Sequence, residues 1–225
     1  MISGGTPPDI VLGLLLGQIN GIRNTLIERV GTTTADDRFQ AILDLAAKLY
    51  PAGAVHVRVE GTGKDRKVLL VLPEATSASG VAVDVARFRT LLGLDPEKRD
   101  FPIVYASGSG APDAINVLTR SISEIIRDLA SLIEIPPEDV ATGRTYATFT
   151  AEEVDLKRVR IRARVDVFPP ILQDSYVTAR YRGRWFWIED TDLRSKQVFS
   201  FVIELLQLAQ RTTAPSLPVV TIPSG

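Results

Sequence analysis

Apolar and charged positions alternate most strictly between Lys157 and Phe201, and that stretch organises the reading of the chain. Val159, Ile161, Ala163, Val165 and Val167 fall on one side of an extended segment, with Arg158, Arg160, Arg162 and Arg164 on the other. A period of two marks a strand with one buried face and one wet face. The alternation resumes after Ser175, placing Val177, Ala179 and Tyr181 on one face and Arg180, Arg182 and Arg184 on the other. Pro169-Pro170 and Gln173-Asp174-Ser175 lie between, which predicts an antiparallel hairpin with a broad turn. If the apolar faces pair, seven arginines share the opposite face. Gly183 suits a bulge or a close backbone approach. Beyond it, Trp185 and Trp187 take one face and Phe186 and Ile188 the other, so the strand becomes apolar on both sides.

Helical spacing dominates elsewhere. Val11, Leu15, Ile19, Ile22, Leu26 and Val30 recur three and four apart and predict one helix from about Pro8 to Val30. Gly13, Gly17 and Gly21 align on it, which suggests a face approached closely by another backbone, the protein's own core being the favoured neighbour. Phe39, Ile42, Ala46 and Leu49 predict a second helix, with Thr34 and Asp37 resembling a capping box. Val55, Val57 and Val59 predict a half-buried strand, Gly61 to Asp65 its turn, and Val68 to Leu72 a central strand covered on both faces. A short helix follows on Val81, Val85, Phe88 and Leu92, then a strand from Phe101 to Ala106 that Pro102 pushes toward a sheet edge. Ile115, Leu118, Ile122, Ile125, Leu129 and Leu132 form the clearest helical stripe and read as one core helix. Pro136-Pro137 and Gly143 bracket a turn, and Thr145 to Thr150 reads as a short strand. A helix from about Thr191 to Gln210 and a strand from Leu217 to Ile222 complete the chain. Without regular βαβ spacing the expected class is α+β, a mixed and mainly antiparallel sheet with flanking amphipathic helices. Residues 1–50 read as an N-terminal helical segment and 51–225 as the α+β domain.

Charge sharpens one feature. The net charge is −1, yet Lys157 to Arg184 holds eight basic residues against two acids, leaving about −7 for the remainder. A local patch therefore means more than the total. Composition also removes chemistry. There is no cysteine, hence no disulfide, thiolate nucleophile or cysteine-bound metal, which fits a cytoplasmic chain. The single histidine, His56, excludes sites built on two or three imidazoles. No secretory signal is visible, and the charge-free run from Ile10 to Ile22 is too short for a membrane span.

The arginine strands carry the candidate binding residues: Arg158, Arg160, Arg162, Arg164, Arg180, Arg182 and Arg184. Arginine suits bidentate phosphate contacts, and Tyr176, Tyr181, Trp185 or Trp187 could stack bases. Arginine equally suits protein interfaces, and a solvated face paired with acids is the plain alternative. Glu189, Asp190 and Asp192 could hold a divalent cation. Helix capping by Asp190 or Thr191, with Asp192 in the first turn, explains them more simply. Ser107-Gly-Ser-Gly110, between a strand and a helix, lacks the third glycine of a dinucleotide fingerprint, and Gly61-Thr-Gly63-Lys64 fails the P-loop spacing. Both read as turns. Ser195 and Lys196 are adjacent on a helix and so do not face each other as a nucleophile and base must.

Tyr181 to Phe199, reading Y-R-G-R-W-F-W-I-E-D-T-D-L-R-S-K-Q-V-F, resembles the core of a bacterial protein family of unknown function. Its pattern is Y-R-G-x-W-F-x-I-x-D-x-D-x-x-S-K-x-x-F, with an upstream helix matching Thr119 to Pro136 and a closing T-I-P matching Thr221-Ile-Pro223. The resemblance covers roughly Asp113 to Gly225 and implies a bacterial origin but no activity. The expected function is that of a non-enzymatic protein-interaction or assembly subunit without cofactors, partnered by another protein or a second copy. A nucleic-acid-binding module using the Arg158–Arg184 hairpin is the alternative, and a carboxylate- and metal-dependent enzyme is a further one.

Overall fold

The computed structural model describes residues 6–24, 37–73, 80–148, 161–164 and 174–212, with backbone alone at 161–164, 211 and 212. Its elements run α1 (Pro8–Leu15), β1 (Leu16–Ile19), β2 (Ile22–Arg23), α2 (Asp37–Leu49), β3 (His56–Glu60), β4 (Lys67–Val71), α3 (Gly80–Leu92) and β5 (Asp100–Tyr105). They continue with β6 (Ile115–Thr119), α4 (Ile122–Ala130), β7 (Ile133–Glu134), α5 (Pro137–Ala141), β8 (Ile161–Arg164), β9 (Ser175–Tyr181), β10 (Arg184–Glu189) and α6 (Leu193–Thr212). A six-stranded sheet has the order β2-β1-β6-β5-β4-β3, and a four-stranded sheet the order β7-β8-β10-β9. All pairings are antiparallel except β5 with β6 and β7 with β8. The fold is α+β, as the element pattern implied.

Two apolar clusters hold these layers together. In the larger, Phe39, Ile42, Ala46 and Leu49 of α2 meet Val85, Phe88 and Leu92 of α3 over Ile19, Phe101 and Ile115 of the six-stranded sheet. The smaller joins Ile10, Val11 and Leu14 of α1 to Ile125 of α4 and Val198 and Phe201 of α6. Asp9 of α1 accepts from Arg194 Nη1 of α6 at 2.8 Å beside that cluster. Another staple sits in the larger layer. The buried Arg89 guanidinium donates to the carbonyls of Asp95, Lys98 and Pro73 at 2.6–3.0 Å. It also lies 5.4 Å from the Phe101 ring centroid. Burial pushes its pKa below the usual arginine value, against the pull of Asp95 and Glu97.

Several expected elements need correction. The helix expected to run to Val30 stops at Leu15, and the chain turns back at Asn20-Gly21 to form the β1–β2 hairpin. Both turn residues have positive φ, 45° and 80°. That is the backbone a two-residue primed turn requires, which Asn-Gly supplies at little cost. Asn20 is pinned on three sides: its side chain donates to Leu92 O, accepts from Asn116 N, and its backbone N–H donates to Asn116 O, all at 2.7–2.8 Å. Gly17 therefore lies in a strand and Gly21 in a turn, so the three-glycine helix face does not form. Residues 1–50 contribute β1 and β2 to the six-stranded sheet, and only part of them is helical.

The stripe from Ile115 to Leu132 also divides, into β6 and α4. Ile115 to Tyr105's parallel partner Val117 pairs with β5. Ser121 then starts the helix, its hydroxyl accepting from Glu124 N while Glu124 accepts from Ser121 N at 2.7 Å. β5 is interior, between β6 and β4, despite Pro102. Its pairing with β6 begins only at Ile103, so the missing proline N–H falls outside that ladder. Residues 145–148 are not a strand, and the expected turn after Pro136 contains the short α5. Expectations for Thr34, Arg158, Arg160 and the strand from Leu217 to Ile222 lie outside the described residues.

Candidate functional site

The arginine-rich segment folds differently from the broad-turn hairpin expected. β9 and β10 form a tight hairpin closed by Arg182 and Gly183, with φ of 49° and 80°, and Tyr181 pairs with Arg184. Gly183 is thus a turn residue and not a bulge. β8 pairs with β10 and not with β9. Cross-strand partners share a face. Trp185 pairs with Arg180 and Arg164, and Trp187 with Thr178 and Arg162, so Arg162, Arg164 and Arg180 share the tryptophan face. Arg184 lies on the opposite face with Tyr181 and Phe186, and Arg182 sits at the tip. A single face with seven arginines does not form, because the turn at Gly183 reverses the strand's direction between Arg180 and Arg184.

The two faces use their arginines differently. Arg184 forks onto Asp139 of α5, Nε to Oδ2 at 2.7 Å and Nη2 to Oδ1 at 2.9 Å, and reaches Glu138 at 3.3 Å. Both side chains of the fork are largely buried, at 14% and 12% exposure. Planar bidentate geometry of this kind fixes orientation as well as charge. Arg144 joins the same Asp139 at 3.2 Å. A cleft of about 380 Å³ opens between the hairpin and α5, with Arg144, Arg182, Arg184, Asp139, Tyr181 and Phe186 among its walls. Among the described residues its walls carry three arginines and one acid, Asp139. On the tryptophan face the Arg180 guanidinium lies 5.6 Å from the Trp185 ring centroid, and at the tip that of Arg182 lies 5.3 Å from Tyr181. Tyr181 is 61% exposed.

Helix α6 covers the other end of the hairpin. Tyr176 shares a hydrogen bond with Ser200 at 3.1 Å, meets Phe199 edge-on, and takes the Lys196 ammonium 5.0 Å from its ring centroid. The acidic group before α6 is occupied locally. Asp192, one residue later than expected, is the cap, accepting from Ser195 N at 3.0 Å and Ser195 Oγ at 2.6 Å. Asp190 accepts from Lys196 Nζ at 2.7 Å. Ser195 is fully buried, so its hydroxyl and the Lys196 ammonium serve separate carboxylates. Among the described residues no group of three or more acids, histidines or cysteines is placed to hold a metal ion. Ser107 to Gly110 lies between two parallel strands and precedes no helix.

A second cleft, about 410 Å³, lies where β1 and β6 meet α4 and contains Arg23, Arg120, Arg127, Glu124 and Asp128. Its charges are mostly spoken for. Arg120 bonds Asp128 at 2.7 Å and Asn24 O at 3.2 Å, and Glu124 belongs to the capping box. Burial raises the Asp128 pKa, opposed by Arg120 and Arg127. Among the described residues no helix is long and apolar enough to cross a membrane. No protein-family model, curated protein or solved structure matches the chain.

Proposed function

We propose that this chain is a non-enzymatic, cytoplasmic interaction or assembly subunit that takes an acidic, extended segment of another protein along the β9–β10 hairpin. The observation that carries this reading is the outer position of β9. Among the described residues it is the outer strand of its sheet, seven residues long, with no acidic side chain, and it ends at the exposed Tyr181, next to the exposed turn residue Arg182. An edge strand offers unpaired backbone groups to an added strand, and neighbouring side chains supply specificity. Tyrosine and arginine are the residue types enriched among interface hot spots. The locked Arg184–Asp139 fork keeps the hairpin rigid behind them.

A double variant, Tyr181→Ala with Arg182→Glu, tests this in a pull-down from the native cell. Proteins captured by the wild type should be lost by the variant, with circular dichroism unchanged. An identical set of captured proteins would remove the hairpin from the reading. One observation favours nucleic acid as the second reading: Arg162, Arg164 and Arg180 share the face that carries Trp185. Fluorescence anisotropy with a single-stranded oligonucleotide distinguishes the two. Polyanion binding should weaken with salt at a log–log slope of about −0.7 per neutralised phosphate, reduced in Arg180→Ala.

A further inference from the structure

Two strand edges longer than two residues are free among the described residues, β9 and β3. The remaining outer strands, β2 and β7, have two residues each and offer little to pair with. The edges of β9 and β3 differ in kind. β9 carries arginine and no acid, so it suits an unlike partner. β3 reads His56-Val57-Arg58-Val59-Glu60, with apolar and oppositely charged positions in one short run. Neither proline nor lysine blunts it.

β3 also carries apolar surface past the helical layer. Val57 and Val59 pair with Leu70 and Val68 of β4 and share the face on which Leu70 meets Phe101 of the core. Yet Val57, Val59 and Val68 are 46%, 47% and 37% exposed. On the reverse face Arg58 bonds Glu60 at 2.9 Å and Asp100 at 3.2 Å. These contacts draw the arginine back over its own sheet and leave the strand edge open.

We infer that β3 pairs antiparallel with the β3 edge of a second copy across a two-fold axis through Val59. Val59 then faces Val59 of the other copy, and Arg58 faces Glu60 in both directions. The alternative register centred on Arg58 sets like charges opposite each other, which disfavours it. An isologous contact of this kind closes as a dimer and uses up the β3 edge of both copies. It extends the six-stranded sheet through the axis and brings the exposed valines of both copies together.

Sedimentation of the full chain, loaded on the order of 100 μM to populate a micromolar complex, should give twice the 24.6 kDa chain mass. Val59→Lys should return it to a monomer with an unchanged circular dichroism spectrum. A wild type that stays monomeric, or a dimer that survives Val59→Lys, overturns the proposal. The chain has no cysteine, so a single introduced thiol gives an unambiguous second readout. Paired residues on such an axis lie about 4.5–5.5 Å apart, within disulfide reach. Val59→Cys should therefore form a covalent dimer under mild oxidation, while Lys64→Cys in the neighbouring turn should not. Equal cross-linking of the two, or none at Val59→Cys, overturns the axis even if Val59→Lys fails to fold.

Discussion

At the scale of single residues, the arginines that look alike along the chain separate by what they touch. Arg184 is held against two carboxylates, and among the described residues its removal leaves the buried Asp139 with only the more distant Arg144. Breaking one side of a buried pair costs about 3–5 kcal/mol. Urea denaturation of Arg184→Ala should show a loss of that order, and Arg184→Lys should not restore it, because an ammonium lacks the fork. Arg182, exposed at the hairpin tip, should tolerate alanine within about 0.5 kcal/mol. Equal losses at both positions would contradict the division of roles. Glu124 gives a pH-dependent test. Its backbone and hydroxyl bonds from Ser121, with smaller help from Arg127 and Arg120, hold its pKa below the ordinary glutamate value. A depressed folded pKa stabilises above the unfolded value, about 4.3, and that contribution fades as pH falls through the lower folded value. Glu124→Gln should therefore narrow the stability gap between pH 6 and pH 3 relative to wild type, measured by melting at each pH. An unchanged gap would mean that the carboxylate charge does not serve the cap.

Among the elements, the two hairpin turns explain most of what the amino-acid pattern hid. Asn20-Gly21 and Arg182-Gly183 both adopt positive φ at two consecutive residues. Asn-Gly between apolar runs is a strong hairpin signal, but the three-and-four spacing of Ile19, Ile22 and Leu26 masked it. Gly21→Ala tests the turn. A Cβ there would meet Ser109 N at 3.3 Å on a backbone with φ of 80°, so the loss should exceed 1 kcal/mol in urea unfolding. Full retention of stability would mean the turn tolerates a side chain. The α+β class, α2, α3, α6 and the strand character of β3, β4 and β10 were legible, because each depends on one local period. β6 was not: Ile115 and Leu118 fit a helical stripe, while pairing with β5 decides their state. The division of the arginines was hidden for a related reason. A tight turn flips the face of every later residue, and nothing in strict alternation records where the chain reverses. The tryptophans separate by the same logic. Trp187 is only 4% exposed while Trp185 is half-buried beneath Arg180, so Trp187→Ala should cost about 3–5 kcal/mol and Trp185→Ala clearly less.

Across the whole molecule, the two sheets are tied through α1, whose Ile10, Val11 and Leu14 share a cluster with α4 and α6. α1 leads directly into β1 of the six-stranded sheet, while α6 follows β10 of the other. The Asp9–Arg194 pair adds a polar tie at the same junction, partly exposed and so worth little alone. If this junction couples the sheets, the chain unfolds as one unit. Both tryptophans lie in β10, so their fluorescence reports the four-stranded sheet alone, whereas far-UV circular dichroism follows every helix and strand. The two transitions should coincide, the usual mark of a cooperative single step. Phe201→Ala places the test at the junction itself. Its side chain is 1% exposed within that cluster, and its loss should cost about 3–5 kcal/mol, moving both transitions together. A variant in which fluorescence shifts while most of the circular dichroism transition stays in place would show two sheets that unfold independently. The α1 cluster would then be a contact between separate cores and not the common one.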